Sequence, residues 1–242
     1  MRIASSRILI VGGGSGMGLA LASRCLDARA EVIIAGRNEG KLARACEELR
    51  TPPRLKAITA DISRESQVAD LFEQVGPLDH VVSTAADIEG AYELLPSLEL
   101  HAAQRVVESK LYGPLLLAKY GAPRLSPAGS ITFVSGIAAY RPAARGAVVA
   151  AVNAALEGLV RALAVELGPI RVNAVSPGWV DTEIWTFVAG EKKQETLSAM
   201  AKRLPLGRIG QPEDIAHAII FLMGNPFTTG TILHVDGGHR LA

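Results

Sequence analysis

Short runs of β-branched and aliphatic residues alternate along this chain with longer stretches whose apolar positions recur at helical spacing. That is the pattern of a parallel sheet wrapped by helices. The runs predict strands at 8–11, 31–35, 55–60, 80–84, 130–134, 171–175 and 231–235. The intervening periodicity predicts helices at about 16–29, 39–49, 65–75, 98–120, 146–167 and 212–223. Seven strands connected in this way fit one doubly wound α/β sheet, whose right-handed crossovers line up the ligand-holding strand ends along one edge. The one long interruption, residues 181–205, follows Pro177-Gly178. A mobile lid over a substrate and an ordered helical insertion are both compatible with its composition.

Composition agrees with that layout. With 242 residues, 49% of them hydrophobic, the chain is long enough to bury both faces of a sheet in a single domain spanning 1–242. Its 25 basic and 24 acidic residues leave a net charge of +1, with no Lys/Arg cluster suited to nucleic acid or an anionic membrane. A small-molecule substrate is therefore expected. Cys25 and Cys46 lie in helical segments without metal-ligand spacing and read as buried thiols. His80, His101, His217, His234 and His239 also lack such spacing, so no metal is expected. The start of the chain lacks the apolar core of a signal peptide, and no apolar run approaches membrane-spanning length. The expected location is the cytoplasm.

The candidate chemistry begins at Gly12-Gly13-Gly14-Ser15-Gly16-Met17-Gly18, between the first strand and the first helix. Such a turn aims backbone N–H groups and the positive end of a helix dipole at a pyrophosphate. Tight packing of strand on helix is the plainer reason for small residues there. At the end of the second strand, Gly36-Arg37 stands where an acidic residue would bind the ribose hydroxyls of NAD. A guanidinium in place of a carboxylate favours the 2′-phosphate, so NADP(H) is preferred and NAD(H) remains possible. A solvated surface arginine is the alternative. Asp61-Ile62 ends the third strand, where the carboxylate is suited either to accept from an adenine amino group or to cap the next helix.

Taken together, these segments make the chain resemble the short-chain dehydrogenase/reductases over nearly its whole length. The remaining matches are Val172-Asn173-Ala174-Val175-Ser176-Pro177-Gly178 and the ending Gly230-Thr231-Ile232-Leu233-His234-Val235-Asp236-Gly237-Gly238. The resemblance implies a Rossmann-type fold, with Pro177 and Gly178 beside a nicotinamide and Val180 and Thr182 touching its carboxamide and phosphates. It also implies a homodimer or homotetramer packed through the helices at 98–120 and 146–167. The sequence departs from the family at Val11, where a threonine is usual, and at Ser83-Thr84-Ala85-Ala86 in place of Asn-Asn-Ala-Gly. Binding through Thr84, Ala85 and Ala86 should survive with altered packing under the adenosine.

The larger departures concern proton transfer. In the family a tyrosine donates the proton, a lysine four residues later lowers its pKa, a serine polarises the carbonyl and an asparagine supports a relay water. Matching Asn153-Ala154-Ala155-Leu156-Glu157-Gly158 to the family's Lys-Ala-Ala-Leu-Glu-Gly puts Val149 at the tyrosine and Asn153 at the lysine. The serine then falls on Gly136 and the asparagine on Lys110. No tyrosine or lysine occurs from Arg141 to Glu191, so a shift of register does not restore the pair. Valine has no proton to give. The readings left are an NADP(H)-dependent oxidoreductase with a rearranged acid/base group, a catalytically silent binder, or a non-redox enzyme using the same pocket.

Two residues are candidates for the rearranged chemistry. Lys110 projects from the neighbouring helix and is suited to reach the nicotinamide ribose or the substrate, or else to pair with a carboxylate at a subunit contact. Tyr140, in the loop after the fifth strand, either donates a proton from a new direction or simply lines the pocket. Ser135 sits one residue from the serine position and faces the opposite way unless the strand bulges. Arg141 and Arg145 read as solvated, and Trp179, Trp185 and Phe187 as lid packing or a cover for an apolar substrate.

Overall fold

A computed structural model describes residues 3–242. The seven strands are β1 (Arg7–Val11), β2 (Glu31–Gly36), β3 (Leu55–Thr59), β4 (Leu78–Ser83), β5 (Leu125–Val134), β6 (Arg171–Pro177) and β7 (Ile232–Val235). They form one parallel sheet in the order β3-β2-β1-β4-β5-β6-β7, with the chain reversing direction across the sheet between β1 and β4. A ligand crevice opens at such a reversal, beyond the carboxyl ends of the strands. Interior strands buried on both faces read as continuous apolar runs, which is why Ile8, Leu9 and Ile10 are all fully enclosed.

On one face lie α1 (Gly16–Asp27), α2 (Glu39–Glu48) and a C-terminal helix at Pro212–Gly224; Leu21 and Ile219 belong to the core they share with Ile10. On the other lie α3 (Glu65–Val75), the long 100–121 segment and α6 (Ala147–Glu166), around Phe72, Phe133 and Leu156. The segment predicted as one helix over 98–120 is α4 (Leu100–Val107) and α5 (Gly113–Gly121), joined by a wide helical turn at Glu108–Tyr112. Pro114 explains the widening. It has no N–H to give the Lys110 carbonyl, and its ring excludes ordinary helical bonding there.

Residues 181–205 contain α7 (Ile184–Ala189) and α8 (Lys193–Ala201), so the insertion is helical. Trp185 stacks on Trp179 at 4.0 Å between ring centroids and donates its indole N–H to the Val180 carbonyl at 2.8 Å. The Phe187 side chain lies outside the described residues. The last helix, α9, is Pro212–Gly224. Cys25 is buried and Cys46 half-buried, both as free thiols, and burial pushes Cys25 up to about 12.

One expectation needs correcting. Helix α6 has 20 residues and a mean hydropathy of 1.7, long and apolar enough to cross a membrane. Its apolar character has two sources: an inner face, with Leu156, Val160 and Leu163 packed on the sheet and Val149 and Val152 packed on Ile88, Ala91 and Val106, and an outer face that exposes Val165.

Candidate functional site

The glycine turn is shaped by close approaches rather than by composition alone. Gly12 has φ +84°, a left-handed conformation, and a Cβ on it would lie 2.6 Å from Thr84 Oγ1. A Cβ on Gly18 would lie 2.2 Å from the Gly12 carbonyl oxygen, so α1 leaves the strand as closely as a bare backbone allows. Ser15 takes the N-cap position in extended conformation without a side-chain hydrogen bond to the helix. The first N–H groups of α1 are therefore left without that cap, at the edge of a cleft of about 400 Å³.

Gly12, Gly14, Ser15, Gly16, Met17, Arg37, Asp61, Ile62, Thr84, Ala85, Ala86 and Thr182 all line that cleft. Gly18 supports it from behind. Asp61 Oδ1 accepts from the N–H and the hydroxyl of Ser63 at 2.9 and 2.8 Å, so this carboxylate organises its own turn as well as lining the cleft. Pro177, Gly178 and Val180 lie outside that lining: a Cβ on Gly178 would lie 2.7 Å from Asp236 Cα, so the Pro-Gly turn packs closely on the Asp236-Gly237-Gly238 turn. Val180 is buried and pairs its backbone with Gly210. Sequence reasoning missed Lys41 and Asp87, which also line the cleft. The N-terminal turn of α2 was a signal for Lys41; nothing in the local pattern marked Asp87.

Three of the residues that the resemblance matches to the family's proton-transfer positions are Val149, Asn153 and Gly136. Val149 is buried. Asn153 is buried too, and its Nδ2 lies 2.8 Å from where a Cβ on Gly136 would stand. The Asn153 amide thus fills the volume next to Gly136. Its Oδ1 is enclosed without a hydrogen-bond partner among the described residues.

Lys110 and Tyr140 converge on one carboxylate that the sequence analysis did not single out, Glu157 of α6. Lys110 is buried and its ammonium donates to the Ser135 carbonyl at 3.1 Å; Ser135 Oγ donates to Glu157 Oε1 at 2.7 Å. The Tyr140 hydroxyl donates to Glu157 Oε2 at 2.5 Å, and its ring meets His234 edge-on at 4.6 Å. Neither Lys110 nor Tyr140 lines the cleft, although the adjacent Ser109 does. The wide turn leaves the Lys110 ammonium at the end of β5, on the Ser135 carbonyl, outside the lining of the cleft.

The titration behaviour follows. Burial brings Lys110 down to about 8, against the opposing pull of Glu157. Burial, and then the bond to Glu157, push Tyr140 up to about 12. That is the reverse of what a lysine does for the family's tyrosine. For a base whose folded pKa is lowered, the unfolded chain holds more protons between the two values, so stability rises with pH across that window. Wild type should therefore gain on a Lys110→Met variant by about 1.4 kcal/mol per pH unit between roughly pH 8 and 10.5, read from urea unfolding at several pH values. A constant difference would remove the shift.

Comparison with known proteins agrees with the fold and the glycine turn. A family model described as Enoyl-(Acyl carrier protein) reductase matches residues 12–240. The short-chain dehydrogenase/reductase ATR9 of Stachybotrys chlorohalonatus is 38% identical, over 98% of this chain and 97% of its own. The solved MalC Reductase/Diels-Alderase of Malbranchea aurantiaca superposes with a TM-score of 0.91 at 32% identity, covering 99% of this chain and 98% of that one. A small-chain dehydrogenase in complex with NADPH gives 0.85 at 32% identity, covering 98% of this chain and 100% of its own. The chain belongs to the short-chain dehydrogenase/reductase family of oxidoreductases, with a nicotinamide dinucleotide as the implied cofactor.

Proposed function

We propose that this protein is an NADP(H)-dependent reductase that delivers hydride to a small molecule without a protein proton donor at the family's tyrosine position. Val149 carries the reading: a buried isopropyl group stands where the hydroxyl would be. The uncapped N–H groups of α1 and the turn from Gly12 to Gly18 fit a pyrophosphate, and Arg37 fits a 2′-phosphate. When bound, the cofactor supplies the hydride. The chain then has to orient the acceptor and exclude water, tasks suited to Ile88, Ile184 and Thr182 around the cleft.

An iminium carbon fits such a site, because hydride addition turns the C=N⁺ unit into a neutral amine and no proton is required. An activated alkene protonated by water is the related case. A panel of ketones, imines and enones, followed by loss of reduced-nicotinamide absorbance, tests the proposal. NADPH consumption with imines or enones and not with simple ketones is expected; fast ketone reduction would overturn it.

A second reading has its own support. Lys110 and Tyr140 are both tied to the Ser135–Glu157 network, and one relative's name joins a reductase to a Diels-Alderase, a non-redox activity. Tight NADPH binding with no consumption across the panel would favour a silent binder or a non-redox enzyme. Exposed Leu100, Tyr112, Leu115 and Val165 support the proposed homodimer or homotetramer through α4–α5 and α6.

A further inference from the structure

Strand order gives one ion pair unusual leverage. Arg37 follows β2 and Asp87 follows β4, and these strands flank β1 on opposite sides. The Arg37 guanidinium nevertheless reaches Asp87, with Nη1 2.6 Å from Oδ2. The pair therefore crosses above the carboxyl end of β1, where the glycine turn begins, and both residues line the cleft. A dinucleotide laid along the strand ends has to cross this bridge.

The two ends of the bridge are not equivalent. The Arg37 side chain is 58% exposed and that of Asp87 only 8%. Asp87 is fixed in place: its N–H donates to Ser109 Oγ at 2.9 Å, and Arg105 of α4 stands 3.7 Å from the same Oδ2. If Arg37 leaves, Asp87 keeps a countercharge in Arg105, so opening does not strand a buried anion. Arg37 is the moving part. A second pair, Lys41 with Glu183 at 2.6 Å, joins α2 to the segment before α7, but both of its ends are well exposed and it contributes little.

Resting on the NADP(H) reading above, we propose that Asp87 is a specificity-determining residue: it holds Arg37 across the cleft, so that a dinucleotide enters only by displacing the arginine. A 2′-phosphate gives Arg37 a replacement partner. NADH opens the same bridge and offers none. Discrimination then arises from two sources, the attraction of Arg37 for the phosphate and the cost of opening imposed on the cofactor that lacks it.

Fluorescence titration of NADPH and NADH into wild type, Arg37→Gln, Asp87→Asn and the double variant tests this. Arg37 is exposed, so its replacement leaves the fold intact if Asp87→Asn does not. Arg37→Gln is expected to weaken NADPH binding by roughly 30-fold yet tighten NADH binding by about fivefold. Asp87→Asn should tighten NADH to a similar degree, and that gain should vanish when Arg37 is already gone. A gain that persists in the double variant means Asp87 merely repels the cofactor, and overturns the bridge. Unchanged NADH affinity in Arg37→Gln also overturns it, while a wild-type preference for NADPH would leave the cofactor reading standing. A wild-type preference for NADH would sink that reading instead.

Discussion

Gly18→Ala is expected to weaken NADPH binding by about 100-fold and to lower stability by about 3 kcal/mol. The added Cβ would sit 2.2 Å from the Gly12 carbonyl oxygen and 2.7 Å from Thr84 Oγ1. The first contact is with backbone, which has no rotamer by which to yield. Helix α1 must move away from β1, and its N–H groups then lose their aim at the pyrophosphate. Gly14→Ala is the contrast, because its nearest neighbours lie at 3.5 Å, an ordinary contact, so its unfolding midpoint should stay near wild type. Fluorescence titration and thermal unfolding read both effects. A Gly18→Ala protein that binds NADPH normally would mean the close approach is not what shapes the cradle.

Glu157→Leu is expected to cost about 3–5 kcal/mol in urea unfolding. The carboxylate accepts from Ser135 and Tyr140 and is the buried countercharge of Lys110. Removing it alone leaves an enclosed ammonium facing a carbonyl. The companion variant sharpens the test: Lys110→Met with Glu157→Leu removes both buried charges and should be more stable than either single change, because neither is left uncompensated in the interior. If the double variant is instead the least stable, the hydrogen bonds to Ser135 and Tyr140 outweigh the charge pairing.

The strands were legible because a buried parallel strand needs apolar residues on both faces, and runs such as Ile8-Leu9-Ile10-Val11 announce that without knowledge of neighbours. The glycine turn was legible for the same local reason. The polar network was not. In α6, Glu157 and Arg161 stand one turn apart and resemble an exposed pair on a helix surface. Only the packing of α6 against β5 and β6 decides that Glu157 turns inward while Arg161 stays exposed. Lys110 was found by its position in the family pattern, but its direction depends on the wide turn before Pro114. That proline was a usable signal, since a helix cannot pass it unchanged. The Arg37–Asp87 bridge lay beyond local pattern, because its partners are brought together by strand order.

The neighbouring occupancy of Gly136 and Asn153 bears on how a hydroxyl and an amine could be introduced beside the cleft. A side chain at 136 starts 2.8 Å from the Asn153 amide nitrogen, so a hydroxyl introduced there requires that amide to swing aside. A lone lysine at 153 arrives with Val149 still one turn away, offering no phenol to activate. The two positions share one volume, so laboratory evolution toward ketone reduction is expected to change them in concert.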